Sequence, residues 1–316
     1  MDRRQLRYFA AIYEQRNLSR AAQACNVAQS ALSHHLTSLE AWLGAPLFLR
    51  QPRGMLPTAA GERLYQHAKV ILRSMEAAEA DIRHASDRLA GEVSIGMAYS
   101  AVKAVGVAFM KAVTESYPDV RVSLSESLSG STFMSVMTSE VDLALVYNPP
   151  SDPQLGTEPV LEETMVCLGR REIIGEGNDP ITFEALLDLP IILLKQGISS
   201  RALLDDAALL KKLEARAKLQ MNSVHAIAGA LSEGIGCIIG TRLFMREQLD
   251  FMREQLDAGT LHARPIVEPA LLRTLYLCRL VDRPATFVME AMRRLLLDLI
   301  RAEIDNGRWE AHALFD

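Results

Sequence analysis

At Gly91 the periodicity of this chain changes character, and no single fold accommodates both sides of the change. Before it, apolar residues recur at helical spacing. After it, short apolar runs interleave with helical stretches. Glu92-Val93-Ser94-Ile95-Gly96 reads as a strand, Val102 to Ser116 as a helix and Val120 to Glu126 as a strand. A helix over 131–139 and the strand Asp142 to Tyr147 follow. The alternation resumes at Thr164 to Leu168, Pro190 to Leu194, a helix at 200–213 and Cys237-Ile238-Ile239. A last strand, Thr274 to Leu280, precedes a helix from Pro284 to Ile304 that Asn306-Gly307 ends. Strands alternating with helices predict a largely parallel, doubly wound α/β domain.

The segment before Gly91 predicts a helical head. Leu6, Phe9, Ala10 and Tyr13 fall at helical spacing in a first helix, and Asn17 is placed to cap a second, Leu18 to Ala24. After the break Asn26-Val27-Ala28, a third helix runs from Gln29 to Leu43, which makes a helix-turn-helix. At 100° per residue, Leu32, Leu36, Leu39 and Leu43 lie within about 60° of arc. Gln29, Ser30, Ser33, His34 and Thr37 project elsewhere. A solvated face usually carries Lys and Glu; short uncharged donors and acceptors instead let a helix sit deep in a major groove. Arg50 and Arg53 flank turn residues beyond it and suit a β-wing that meets phosphate. Adjacent histidines sit 100° apart on a helix, so His34 and His35 are no metal pair, which needs i,i+4 spacing.

Thr58 then caps a long helix over about 59–89. Leu64, Ala68, Ile71, Met75, Ala78, Ile82, Ala85 and Leu89 alternate spacings of four and three. A seam sustained over more than three heptads predicts a partner helix from a second copy of the chain, in preference to a helix lying on its own body, because its outer faces are heavily charged. Farther on, FMREQLD occupies 244–250 and again 251–257. Seven residues turn a helix through about 700°, so the duplication predicts a surface helix lengthened by two turns, about 10 Å.

Charge divides the same way. The net charge is −5, yet residues 1–58 hold seven Arg against three acidic side chains, +4, which leaves −9 on the rest. A basic head on an acidic body suits one end meeting a polyanion. Enzyme signatures are absent: no GxSxG, no GxxxxGK[ST], no HExxH, and no cofactor is called for. Cys25, Cys167, Cys237 and Cys278 lack CxxC spacing, which argues against zinc and disulfides and suits a reducing cytoplasm. No apolar run approaches the ~18 residues a membrane span needs, and the basic, amphipathic start does not read as a secretion signal.

The stretch LRYFAAIYEQRNLSRAAQACNVAQSALSHHLTSLEAWLGAPLFLR, with Pro57-Thr58 and Gly61, resembles the LysR-type transcriptional regulators. Weaker matches follow in order at Gly91 to Gly96, Glu126, Val141 to Leu145, Asp188-Leu189-Pro190 and Gly234-Ile235-Gly236. The resemblance implies a winged helix-turn-helix over 1–58, a dimerising linker helix over 59–90, and an effector domain over 91–316. That domain would resemble periplasmic binding proteins, with lobe I at about 91–162 and 268–306 and lobe II at about 163–267. It implies double-stranded DNA with a pseudo-palindromic operator, a homodimer or dimer of dimers, RNA polymerase and a small-molecule effector as partners.

Departures from the family pattern are local. Ser30 stands where proline is common, His34-His35 where Arg-Gln is usual, and Ser139 and Gly240 where glycine and proline are common. Losing the arginine removes a bidentate fork for guanine, so the operator sequence is not inherited. By resemblance the effector sits between the lobes. Ser100, Ser129, Ser199, Ser200 and Arg201 are its candidate contacts, with His225 a lesser one, and helix N-termini backed by Arg201 suit an anion. Two alternatives stay open: a thiol redox sensor on the same scaffold, and a free-standing binding protein, which leaves the basic head unexplained.

Overall fold

The computed structural model describes residues 1–51, 54–83, 89–177, 179–194, 204, 206–243 and 261–315, with the backbone alone at 73, 77, 80, 81 and 83. Two compact units divide the chain, Met1–Arg88 and Leu89–Asp316. The FMREQLD tandem lies outside the described residues, as do Arg53, Ser199, Ser200 and Arg201.

The first unit is α1 (Arg3–Gln15), α2 (Leu18–Ala24), α3 (Gln29–Leu43), the strands β1 (Phe48–Gln51) and β2 (Gly54–Pro57), and α4 (Ala59–Arg83). Asp2 and Gln5 cap α1 reciprocally, Asn17 accepts from Arg20 N, and Thr58 accepts from Gly61 N, so helix starts carry their own acceptors. Leu6, Phe9, Ile12, Leu32, Leu36 and Leu39 close one core. Leu43, the last member of the α3 stripe, is exposed because the helix stops there, at Gly44 in the left-handed region. Glu40 fastens the wing to α3 by accepting from Leu47 N at 2.7 Å and Phe48 N at 3.3 Å.

The α4 seam is divided. Ala68 is fully buried, and Leu64 and Ile71 pack against the same core, because α1 lies along this half of the helix. Arg3 reaches Glu79 and Glu76 from α1. Met75, Ala78 and Ile82 stay exposed, Ile82 at 78%. A seam expected to face a partner throughout therefore spends its first three positions on its own unit.

The second unit starts with β3 (Gly91–Ala98), a short α5 (Tyr99–Ala101), a π-helical turn at Val102–Gly106, and α6 (Val107–Ser116). Then come β4 (Val120–Ser127), α7 (Ser129–Met137), β5 (Leu143–Tyr147) and β6 (Leu155–Thr164). A second group holds β7 (Val166–Arg170), β8 (Ile181–Thr182), β9 (Ile192–Leu193), β10 (Leu219–Gln220), β11 (Ile238–Gly240) and β12 (Leu261–Val267). The chain returns through β13 (Leu272–Leu280), the helix Phe287–Asp305 and β14 (His312–Ala313).

The six-stranded sheet has the order β14-β6-β13-β5-β3-β4, the four-stranded sheet β11-β7-β12-β8, and β9 pairs β10. The expectation of largely parallel strands needs correction. β3 is parallel to β4 and β5, but β13 runs antiparallel to β5 and β6, and β7 runs antiparallel to β11 and β12. The physical reason is that the chain passes between the sheets through short connections, Met165 on the way out and 268–271 on the way back, so the returning strand lies beside the departing one without a helical crossover. Each sheet has its own core, one around Ile95, Met97, Phe109, Leu145 and Leu296, the other around Cys167, Phe183, Leu186, Cys237 and Ile266. Ser139 takes a left-handed φ of 59°, the backbone that the glycine expected there would adopt freely.

Candidate functional site

Two surfaces carry chemistry, one in each unit. On α3, Gln29, Ser30, His34 and Thr37 are exposed and Ser33 is half-buried, opposite the leucines that enter the core. His35 is half-buried, its ring edge-on to that of His34 with centroids 6.2 Å apart. It packs edge-on against Tyr8 of α1 with ring centroids 5.1 Å apart. The leucine stripe sets this division, since pinning one face of a helix inward fixes what the other face presents.

Three hydrogen bonds tie the exposed face to its surroundings. Ser19 Oγ donates to Gln29 Oε1 at 2.9 Å, Arg50 Nη2 donates to Ser33 Oγ at 3.3 Å, and Thr37 Oγ1 donates to the Ser33 carbonyl at 3.0 Å. Arg50 stands on β1, whose hairpin is held at its turn. There Met55 N donates to Arg16 O at 2.8 Å, and a Cβ on Gly54 would lie 2.3 Å from that same oxygen. Arg4, Arg7, Arg16 and Arg20 are exposed as well, so the unit carries its positive charge outward. No cluster of His, Cys, Asp or Glu suited to a metal occurs among the described residues.

In the second unit a cavity of about 110 Å³ opens between the two sheets. Ser100 and Ser129 line it, each at the start of a helix that follows a parallel strand. Tyr99, Tyr147 at the end of β5, Arg273 and Thr241 complete its polar lining, and Leu128, Ile192, Leu194, Val224, Ile227 and Ile238 are among its aliphatic walls. His225 is not among the lining residues. It is exposed on the helix Val224–Ser232, which turns its neighbours Val224 and Ile227 inward instead. Ser223 caps that helix by accepting from Ala226 N at 3.2 Å.

The polar end of the cavity is a closed network. Arg273 Nε donates to Glu163 Oε2 at 2.8 Å, Arg273 Nη2 donates to Ser100 Oγ at 3.2 Å, and Ser100 Oγ donates to the Tyr147 hydroxyl at 3.2 Å. The guanidinium stacks 3.7 Å from the Tyr147 ring centre. Trp309 Nε1 donates to the other Glu163 oxygen at 2.7 Å, and Ser129 Oγ accepts from Tyr147 N at 3.2 Å. Burial pushes the Tyr147 phenol far above its ordinary range. Burial alone would discourage the Arg273 cation, but Glu163 and Tyr147 together outweigh it and hold the guanidinium charged.

Tyr147, Glu163, Arg273 and Trp309 were not among the sequence candidates. One signal pointed to Tyr147: ligands of open α/β sheets gather at the carboxyl ends of parallel strands, where Ser100 and Ser129 also lie. Glu163, Arg273 and Trp309 carry no local signal.

Comparison with known proteins places both units. Residues 3–62 match the model of the bacterial regulatory helix-turn-helix protein of the lysR family, and residues 86–301 match the LysR substrate binding domain. The nitrogen assimilation regulatory protein nac of Klebsiella aerogenes is 30% identical over 240 residues, covering 76% of this chain and 78% of that protein. The transcriptional regulator BbuR of Bordetella bronchiseptica is 26% identical over 316 residues, 99% of this chain and 94% of its own length. Among solved structures, a full-length OxyR variant from Pseudomonas aeruginosa shares the fold with a TM-score of 0.72 at 20% identity, covering 95% of each chain. Full-length CbnR, solved with its target DNA, has a TM-score of 0.60 at 18% identity, covering 96% of this chain and 99% of its own.

Proposed function

This chain belongs to the LysR family of bacterial transcriptional regulators, not of enzymes, and from that premise we propose that α3 reads a specific operator in double-stranded DNA while a small molecule in the cavity modulates that binding. The observation that carries the reading is the exposed face of α3, where uncharged short side chains replace the Lys and Glu of an ordinary solvated helix. Gln29, Ser30, Ser33, His34 and Thr37 meet base edges; Arg50, and by its sequence position Arg53, meets phosphate. A symmetric dimer presents two such helices to successive major grooves of a pseudo-palindromic operator, about one turn apart. Dimers of dimers and contact with RNA polymerase in the cytoplasm extend the same reading.

The effector has an apolar body, set against Ile192, Val224, Ile227 and Ile238, and one polar end near Ser100, Tyr147 and Thr241. Its anionic character rests on Ser199, Ser200 and Arg201, because Arg273 is already neutralised by Glu163. A thiol sensor is less well supported. Cys167, Cys237 and Cys278 are fully buried. A hydrogen bond to Cys237 and burial both push the Cys167 thiol up, and burial pushes Cys278 up to about 12, so neither supplies a reactive thiolate.

The test is binding of the full chain to the DNA beside its own gene against random DNA in moderate salt. Equal affinity for both would end the proposal. A thermal-shift screen of small carboxylates and their neutral amides then identifies the effector class, since a ligand of the folded state raises the midpoint.

A further inference from the structure

Gln29, Ser33 and Thr37, on the exposed face of α3, are not free hydrogen-bonding groups. Each is committed to a partner inside the unit, and each commitment uses up one kind of capacity. A primary amide has a carbonyl acceptor and an NH₂ donor. Ser19 holds the Gln29 carbonyl end back toward α2, so the NH₂ end faces outward. A hydroxyl that accepts from arginine keeps its own hydrogen to give, which is the state of Ser33 beneath Arg50. Thr37 has given its hydrogen to the Ser33 carbonyl, so it offers lone pairs and a methyl group. The three residues are four apart in sequence, so they lie in one row, spaced about 6 Å along the helix axis.

We propose that these internal bonds fix the polarity of the reading face as donor, donor, acceptor from Gln29 to Ser33 to Thr37. Ser19 is thereby a positioning residue that sets a base preference without touching DNA. The proposal rests on the reading of α3 as the helix in the groove. In the major groove guanine presents only acceptors and thymine presents O4 with a methyl, adenine presents an acceptor and a donor, and cytosine a donor. The donor positions therefore favour guanine or thymine, and Thr37 favours cytosine, adenine or the thymine methyl. A glutamine with its carbonyl free makes the bidentate pair with adenine; Ser19 suppresses that option.

The experiment presents full-length wild type, Gln29→Ala, Ser19→Ala and Ser19→Thr with a pool of random-sequence duplex DNA and sequences the bound fraction. Gln29→Ala should flatten the preference at one base position per half-site. At that position Ser19→Ala should raise adenine over guanine by about fivefold or more, the lower end of what a bidentate contact discriminates. Ser19→Thr keeps the hydroxyl and should select as the wild type does. If Gln29→Ala changes no position, the docking of α3 is wrong and the proposal falls with it. If Gln29→Ala flattens a position that Ser19→Ala leaves unaltered, the proposal alone fails. It also fails if Ser19→Ala weakens all sequences uniformly, the mark of a merely structural role, or if Ser19→Thr shifts selection as far as Ser19→Ala does.

Discussion

Removing the carboxylate from Glu163 tests whether the charge beneath the cavity is held strictly as a pair. Glu163 is 1% exposed and Arg273 11%, with Nε and Oε2 2.8 Å apart. Glu163→Gln keeps the size of the side chain and an acceptor for Trp309, but it strands the Arg273 cation in a buried site. Arg273→Met strands the carboxylate instead. Breaking a buried pair from one side costs about 3–5 kcal/mol, whereas removing both charges is often close to neutral. The double variant should therefore lose at least about 2 kcal/mol less than the two single losses added together. For a unit of this size each kcal/mol moves the midpoint by about 2–4 °C, so each single variant should melt about 6–20 °C lower. The chain has two tryptophans, Trp42 and Trp309. In a Trp42→Phe background the fluorescence of Trp309 reports the second unit alone. Additive losses, or single losses under about 1 kcal/mol, would refute the pairing.

Other expectations follow from single features. A Cβ on Gly61 would lie 2.2 Å from the Leu47 carbonyl oxygen, so Gly61→Ala should destabilise the first unit by about 1–3 kcal/mol. Faster amide exchange across α1 to α3 is the readout, and unchanged exchange would contradict the close approach. Ile82→Asp charges the exposed end of the α4 seam and should weaken self-association in sedimentation equilibrium; an unaffected dimer would place the interface elsewhere. Tyr147 gives a pH dependence. Its folded phenol stays protonated above the ordinary value, so beyond about pH 10 the unfolded chain binds fewer protons and stability falls as pH rises, by up to about 1.4 kcal/mol per unit. Tyr147→Phe should remove that slope between about pH 10 and 11, and equal slopes in the two proteins would falsify the assignment.

Legibility in the sequence followed the range of the interactions. The α3 stripe, the Asn17 and Thr58 caps and the strand–helix alternation are local patterns, and each appears where its pattern lies. The α4 seam was legible as apolar but not as divided, because spacing does not say which surface an apolar residue will meet; Ala68 meets the core of Leu6 and Phe9, while Ile82 stays exposed among the described residues. Ser100 and Ser129, singled out by their place after strands, line the cavity. Glu163, Arg273 and Trp309 were not singled out, since Trp309 reaches a partner 146 positions away and Arg273 one 110 away. No periodicity encodes a contact of that separation. His225 shows the converse: the local pattern points to a helix that lines the cavity, but to a residue on its exposed side.

The short connections between the two sheets have an architectural consequence. Thr164 and Leu272 are cross-strand partners, and Met165 N donates to Leu271 O just beyond them at 2.8 Å. The chain thus enters and leaves β7 to β12 at one closed point of the six-stranded sheet, as an insert whose two ends already touch, with a second contact where Arg242 pairs with Glu310 and Leu243 packs on the sheet's core. That segment supplies Ile192, Leu194, Val224, Ile227 and Ile238 to the cavity, while the Glu163–Arg273 pair remains with the sheet that receives it. A cassette with touching ends can be exchanged without re-threading its host. New chemical specificity could therefore be grafted between Thr164 and Leu272 with the charge-bearing floor and the operator-reading unit left intact.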